Sequence, residues 1–245
     1  MRVRKPTAIA ALLAVALIGA AQTELPPATP TSTTPVARTD DRAVAREAEC
    51  IRRAQTSEPV AIVFIGASIV EGWESAGAAA WAKHFAPVGA LNLGNSGDRT
   101  EHVLWRLRKA PLTRLHPRHI VVNIGSNNLG NGTSSAQETL AGITAVVDLL
   151  LSQCPDATVH LLEVFPRGER FSTLRGDICQ VNQALRAWVA SRAAAPRSAK
   201  LAIHAIGDRF VEPDGSILAR TMPDFLHPSS EAYALWAELL APELR

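Results

Sequence analysis

Residues 60–68 read Val-Ala-Ile-Val-Phe-Ile-Gly-Ala-Ser. Val60–Ile65 is a short apolar run rich in β-branched side chains, as expected of a strand buried on both faces. It passes through Gly66 directly into Ser68, at the start of a segment able to be helical. Four further runs are of the same kind: Ala90–Leu93, Ile120–Ile124, Thr158–Val164 and Leu201–Ile206. Segments with helical spacing lie between them at Thr100–Lys109, Ser134–Gln153 and Leu174–Arg192, and Ser229–Leu240 follows the last. Apolar strands alternating with helices imply an α/β fold whose parallel sheet is covered on both faces. There is no internal repeat.

The remainder of the chain divides by composition. Arg2, Arg4 and Lys5 precede the uncharged apolar run Ala8–Leu17, and Gly19-Ala20-Ala21 supplies small residues. Residues 1–21 therefore read as a secretory signal peptide, and the run is short for a membrane span. The expected destination is secreted or periplasmic, with no stable membrane insertion once the signal is cleaved. Residues 22–40 contain four Pro and six Thr and read as an extended linker. Residues 41–245 suit one domain. Removing residues 1–21 takes away three positive charges and no negative one, so the formal charge moves from +2 to −1. A near-neutral domain offers no electrostatic footprint for nucleic acid. Cys50, Cys154 and Cys179 are too few for a disulfide scaffold and lack zinc-site spacing. One pair leaving an odd thiol, or three unpaired cysteines, are both compatible with the sequence.

Functional residues of open parallel sheets gather at the carboxyl ends of the strands. Three strands here run into polar, glycine-bearing turns: Gly66-Ala67-Ser68, Gly94-Asn95-Ser96-Gly97-Asp98 and Gly125-Ser126-Asn127-Asn128. Asp224-Phe225-Leu226-His227, ahead of the last helix, can reach the same edge. Ser68 at a helix start could be an N-cap or a nucleophile. A serine nucleophile needs a base, and of seven histidines only His227 has a carboxylate, Asp224, arranged to orient its ring. Gly97 can present a bare N–H, and Asn127 an amide, to a developing oxyanion. Each feature alone is ordinary turn or cap chemistry; together, at successive strand ends, they point to acyl transfer. The second glycine of the G-x-S-x-G elbow is absent after Ser68.

Those residues resemble the SGNH, or GDSL, hydrolase superfamily, whose four blocks contribute Ser, Gly, Asn and His. Ser68, Gly97, Asn127 and His227 match them, with Asp224 as the triad acid. The likeness is closer to the catalytic subunits of platelet-activating-factor acetylhydrolase Ib. Ala90–Gly94, Gly97-Asp98, His102–Leu107, Gly125–Asn128, Pro166–Glu169, Val181-Asn182-Gln183 and Asp224–His227 carry it, within a match from about Pro59 to Leu240. The resemblance implies a flavodoxin-like three-layer α/β/α sandwich with a five-stranded parallel sheet, and ester hydrolysis with no cofactor or metal. It implies an oxyanion hole of the Ser68 and Gly97 N–H groups and the Asn127 amide, and a small acyl pocket lined by Ile69, Ser126 and Leu226. The substrate expected is a short-chain, acetyl ester of a saccharide or similar extracellular alcohol. A lipid acetylhydrolase or lysophospholipase, and a binding module with a retired site, are the alternatives. Ala67 stands where the family's Gly-Asp-Ser has Asp, a position that is neither nucleophile nor triad acid. The export signal also departs from the intracellular enzymes, so their regulatory partner is not carried over. An oligomer stays open.

Overall fold

The computed structural model describes residues 31–56, 60–192 and 200–245. The expected signal peptide and residues 22–30 of the expected linker lie outside them. Five strands form one parallel sheet: β1 (Ile62–Gly66), β2 (Ala90–Gly94), β3 (His119–Asn123), β4 (Thr158–Leu162) and β5 (Leu201–His204), in the order β2-β1-β3-β4-β5. All five expected strands are present, and their side chains alternate between two cores as the period of a strand requires. Val63, Ile65, Ile120, Val122, Val159 and Leu161 point into one core. Ile62, Phe64, Val121 and Leu162 point into the other.

The first core is covered by α1 (Asp41–Ala54), α4 (Thr100–Lys109), α6 (Ala136–Gln153) and α7 (Thr173–Arg192). The second lies under α3 (Ala78–His84) and α8 (Ser230–Leu240). Two short helices, α2 (Ser68–Glu71) and α5 (Ser126–Gly130), follow β1 and β3 directly. This is the three-layer α/β/α sandwich expected from the family resemblance. Capping fixes several starts. Ser135 and Glu138 form a reciprocal capping box on α6, and Asp40 accepts the Ala43 N–H on α1. Aromatic rings fill the second core: Trp73 packs 4.7 Å from both Tyr233 and Trp236, measured between ring centroids.

The linker expectation needs correction over residues 31–40. Ser32 is fully buried; its hydroxyl donates to Glu138 O (2.6 Å) and its carbonyl accepts from the Thr100 hydroxyl (2.8 Å). The Val36 N–H donates to Glu101 O (3.2 Å). The segment is a strap laid across α4 and α6, held by specific hydrogen bonds rather than by apolar bulk, so composition alone misreads it. Cys50, Cys154 and Cys179 are all free thiols; the first two are buried and the third exposed. Among the described residues no helix is long and apolar enough to cross a membrane.

Candidate active site

Parallel strands present their carboxyl ends to one edge of the sheet, and the three glycine-bearing turns meet there. Ser68 opens α2 one residue after the Ala67 N-cap. Ala67 makes no side-chain cap bond, and its carbonyl accepts the N–H groups of Val70 and Glu71. The carbonyls of α2 are tied down from outside. Tyr233 donates to Ile69 O (2.7 Å), and Asn92 Nδ2 donates to Val70 O (3.0 Å). The turn that carries Ser68 is thus braced by β2 and α8 without the acidic residue usual at position 67 of the motif.

The loop 222–227 brings His227 across to Ser68. Phe225 adopts φ +57°, rare for a bulky residue. Its N–H donates to Met222 O (2.9 Å), and its carbonyl accepts from the Gly168 N–H (2.7 Å). This turn wraps the backbone around Asp224, whose Oδ1 accepts the N–H groups of Leu226 (3.1 Å) and His227 (2.7 Å). Its Oδ2 lies 2.6 Å from His227 Nδ1, and His227 Nε2 lies 2.8 Å from Ser68 Oγ. The carboxylate fixes the ring with hydrogen on Nδ1, leaving Nε2 to accept the Ser68 hydroxyl proton. Burial raises the Asp224 pKa, but the His227 N–H, the imidazole and the Leu226 N–H outweigh it and hold the carboxyl below its ordinary value.

The expected oxyanion donors converge on the same edge. Gly97 has φ +81° and Gly125 φ +110°, left-handed conformations that glycine adopts freely. They turn the ends of β2 and β3 toward Ser68. Among the described residues, neither the Ser68 nor the Gly97 N–H has an acceptor in the protein. Asn127 Nδ2 donates one hydrogen to Asp98 O (2.9 Å), which orients the amide and leaves its second hydrogen available. Asn128 is built differently: it is fully buried, accepts the Thr100 N–H and donates to Glu101, so its role is to join α4 to α5.

Ile69, Ser126, Asn127 and Leu226 line a niche beside Ser68. The space open to the centre of a water-sized molecule is about 10 Å³, close to the minimum that admits one water. On the other side of Ser68, a polar hollow of about 350 Å³ is lined by Arg42, Glu71, Glu74, Ser75 and Ser96. Every candidate residue read from the sequence thus lies at this edge. The other histidines do different things. His102 caps α4 by accepting the Arg99 N–H. His119, His160 and His204 form a ladder across β3, β4 and β5 with ring nitrogens 3.0 Å apart at each step.

No local pattern marks the support beneath the Gly97 turn. Asp98 is fully buried and receives Arg106 Nε (3.1 Å) and Nη2 (2.8 Å) and Arg38 Nη1 (3.2 Å). Asp98 and Arg106 stand in stretches that carry the family resemblance, whereas Arg38 stands in the segment read as a linker. No group of three or more His, Cys, Asp or Glu among the described residues is placed to hold a metal ion.

A serine hydroxyl, an imidazole and a carboxylate hydrogen-bonded in series beside free N–H donors, at the carboxyl edge of a doubly covered sheet, are the arrangement acyl transfer by a hydrolase requires. The comparisons narrow the class: the chain belongs to the GDSL-like lipase/acylhydrolase family, whose model matches residues 64–235, and it is a carboxylic ester hydrolase. Platelet-activating factor acetylhydrolase IB subunit alpha2 of Rattus norvegicus is 35% identical over 195 residues, 80% of each chain. A solved GDSL-like lipase from Bacteroides thetaiotaomicron has a TM-score of 0.66 at 20% identity, covering 81% of this chain and 96% of that one. A solved acetyl xylan esterase has a TM-score of 0.62 at 16% identity, covering 76% and 100%. At such identities the two structures bear on the fold alone.

Proposed function

We propose that the protein is a serine esterase that removes acetyl and similarly short acyl groups from hydroxylated alcohols of the saccharide kind. The observation that carries this reading is the continuous relay from Asp224 through His227 to Ser68, set against a niche the size of a methyl group. His227 Nε2 takes the Ser68 proton as the oxygen attacks the ester carbonyl. The N–H groups of Ser68 and Gly97 and the free amide hydrogen of Asn127 hold the oxyanion. The imidazolium then gives its proton to the departing alcohol, and the acyl group stays on Ser68. Water, losing a proton to the same imidazole, attacks the acyl-enzyme and releases acetate and free Ser68. Neither half uses a cofactor.

The leaving-alcohol side favours a hydroxylated substrate, because the hollow there is bordered by charged and hydroxyl side chains. The name of the rat relative favours a second reading, acetyl removal from a lipid. Turnover of acetylated xylo-oligosaccharides is to be compared with that of a 1-alkyl-2-acetyl glycerophosphocholine. The first reading expects higher kcat/KM for the saccharide; the reverse order replaces it by the second. Export by residues 1–21 belongs to the same proposal. Mass spectrometry of extracellular or periplasmic protein should give a start near Gln22, and an intact Met1 would refute it.

A further inference from the structure

The strap formed by residues 31–40 ends beside the turn that carries Gly97. Arg38 is the residue that makes the connection. Its side chain is only 15% exposed. Nη1 donates to Ser96 O (3.1 Å) and to Asp98 Oδ1 (3.2 Å), on either side of Gly97. Nε and Nη2 donate to Asp40 Oδ2 (3.1 and 2.6 Å), and Asp40 caps α1. A Cβ built on Gly97 would lie 3.0 Å from Arg38 Nη1, so the guanidinium rests directly on the turn.

Ser96 C=O and Gly97 N–H belong to one peptide unit. A cation donating to the oxygen of a peptide draws electron density toward that oxygen and makes its N–H a stronger donor. It also fixes the plane of the unit. The preceding unit is held from the other side, where the Ser96 N–H donates to Glu71 Oε2 (2.6 Å). Asp98, the second acceptor of Arg38, accepts the Asn127 amide through its carbonyl. One guanidinium therefore bears on two of the three oxyanion donors assigned above.

The geometry points to Arg38 as a positioning residue for ester hydrolysis: it orients and polarises the Ser96–Gly97 peptide so that the Gly97 N–H meets the developing oxyanion. This rests on the assignment of Gly97 as an oxyanion donor. It makes the strap, which lies ahead of the segment matched by the family model, a part of the catalytic machinery. Arg38 touches neither Ser68 nor the reacting carbon; it acts through the peptide it grips.

The test uses full-length protein, an acetyl ester, and a methyl trifluoromethyl ketone whose hemiketal oxyanion occupies the same donors. Arg38→Gln should lower kcat about tenfold, less than the ~10²–10³ lost when an oxyanion donor is removed outright. KM should stay within twofold, and the ketone inhibition constant should rise by the factor by which kcat falls. Arg38→Lys, which keeps the charge, should recover part of the loss. Ser135→Ala removes the N-cap of α6 and serves as the stability control: its melting temperature should fall while kcat is kept. Arg38→Gln with kcat within twofold of wild type, beside a crippled Asn127→Ala, would overturn the role of Arg38 and leave the oxyanion site standing. Full activity in both variants would instead overturn the site. Equal losses of kcat in Arg38→Gln and Ser135→Ala, or no recovery in Arg38→Lys, would reduce Arg38 to a structural tie.

Discussion

Leu226→Ala should convert a methyl-sized acyl niche into one that takes a butyryl chain. In the wild type Leu226 closes the niche with Ile69 and Ser126, leaving about 10 Å³ for the centre of a water-sized molecule. An acetyl group places one methyl there. A butyryl group adds two methylenes that must displace packed side chains, at about 1–3 kcal/mol, or about 5- to 150-fold in rate. Truncating leucine to alanine removes three carbons, enough to house both methylenes. Each buried methylene then contributes about 0.8 kcal/mol, so the pair returns about 1.6 kcal/mol, or roughly 15-fold. Acetate over butyrate should therefore fall from a clear preference to near parity or reversal. The Leu226 N–H to Asp224 is a backbone bond and survives the substitution. Absolute rates should fall modestly as the side chain's packing against the second core is lost. The assay is kcat/KM for the p-nitrophenyl esters of acetate, butyrate and octanoate on both proteins. A wild-type maximum at octanoate, or a Leu226→Ala protein with an unchanged acetate-to-butyrate ratio, would refute the small-niche reasoning.

Asn127→Ala should lower kcat by roughly 10²–10³ with little change in KM, because the amide acts on charge that develops in the transition state. Asn128→Ala should instead lower stability by about 1–3 kcal/mol, since it leaves the buried Thr100 N–H without its acceptor; steady-state kinetics and chemical denaturation separate the two. Burial, with the neighbouring His204 and His119 rings second, pushes His160 down to about 4. The unfolded chain then binds a proton near pH 6.5 that the folded chain refuses, so stability is full above that pH and is lost as pH falls from about 6.5 to 4, by up to about 3 kcal/mol. His160→Gln should flatten this loss in urea melts across that window, and an identical slope in both proteins would contradict it. Excess EDTA should leave the esterase rate unchanged; loss with recovery on added zinc would replace the mechanism.

The sheet was legible because its strands are continuous runs such as Ile62–Ile65 and Ile120–Val122, buried on both faces and bounded by glycine. The place of the candidate site was legible because Ser68, Gly97, Asn127 and His227 each sit at a strand end or just before a helix. Helix α1 escaped notice because its buried face is Ala43, Glu47, Cys50 and Ala54, helically spaced but small or charged rather than apolar. The strap escaped for a related reason. Thr and Pro carry no burial signal, and what fixes residues 31–40 is two hydrogen bonds at Ser32 and a guanidinium at Arg38. Their partners lie 58 or more residues away in sequence, beyond any local pattern. The same holds for Asp98. Its place beside Gly97 was visible, but the two arginines that hold it come from α4 and the strap.

The central claim is that Ser68 forms the covalent bond to the acyl group. It is tested most directly by treating the protein with a fluorophosphonate, which reacts with a serine activated as a nucleophile, and locating the adduct by mass spectrometry of proteolytic peptides. One adduct per chain should form, on Ser68, with loss of esterase activity in step with labelling. Ser68→Ala and His227→Ala proteins of unchanged fold should take up none at the same rate. Stoichiometric labelling of another serine, or full esterase turnover by folded Ser68→Ala, would contradict the account.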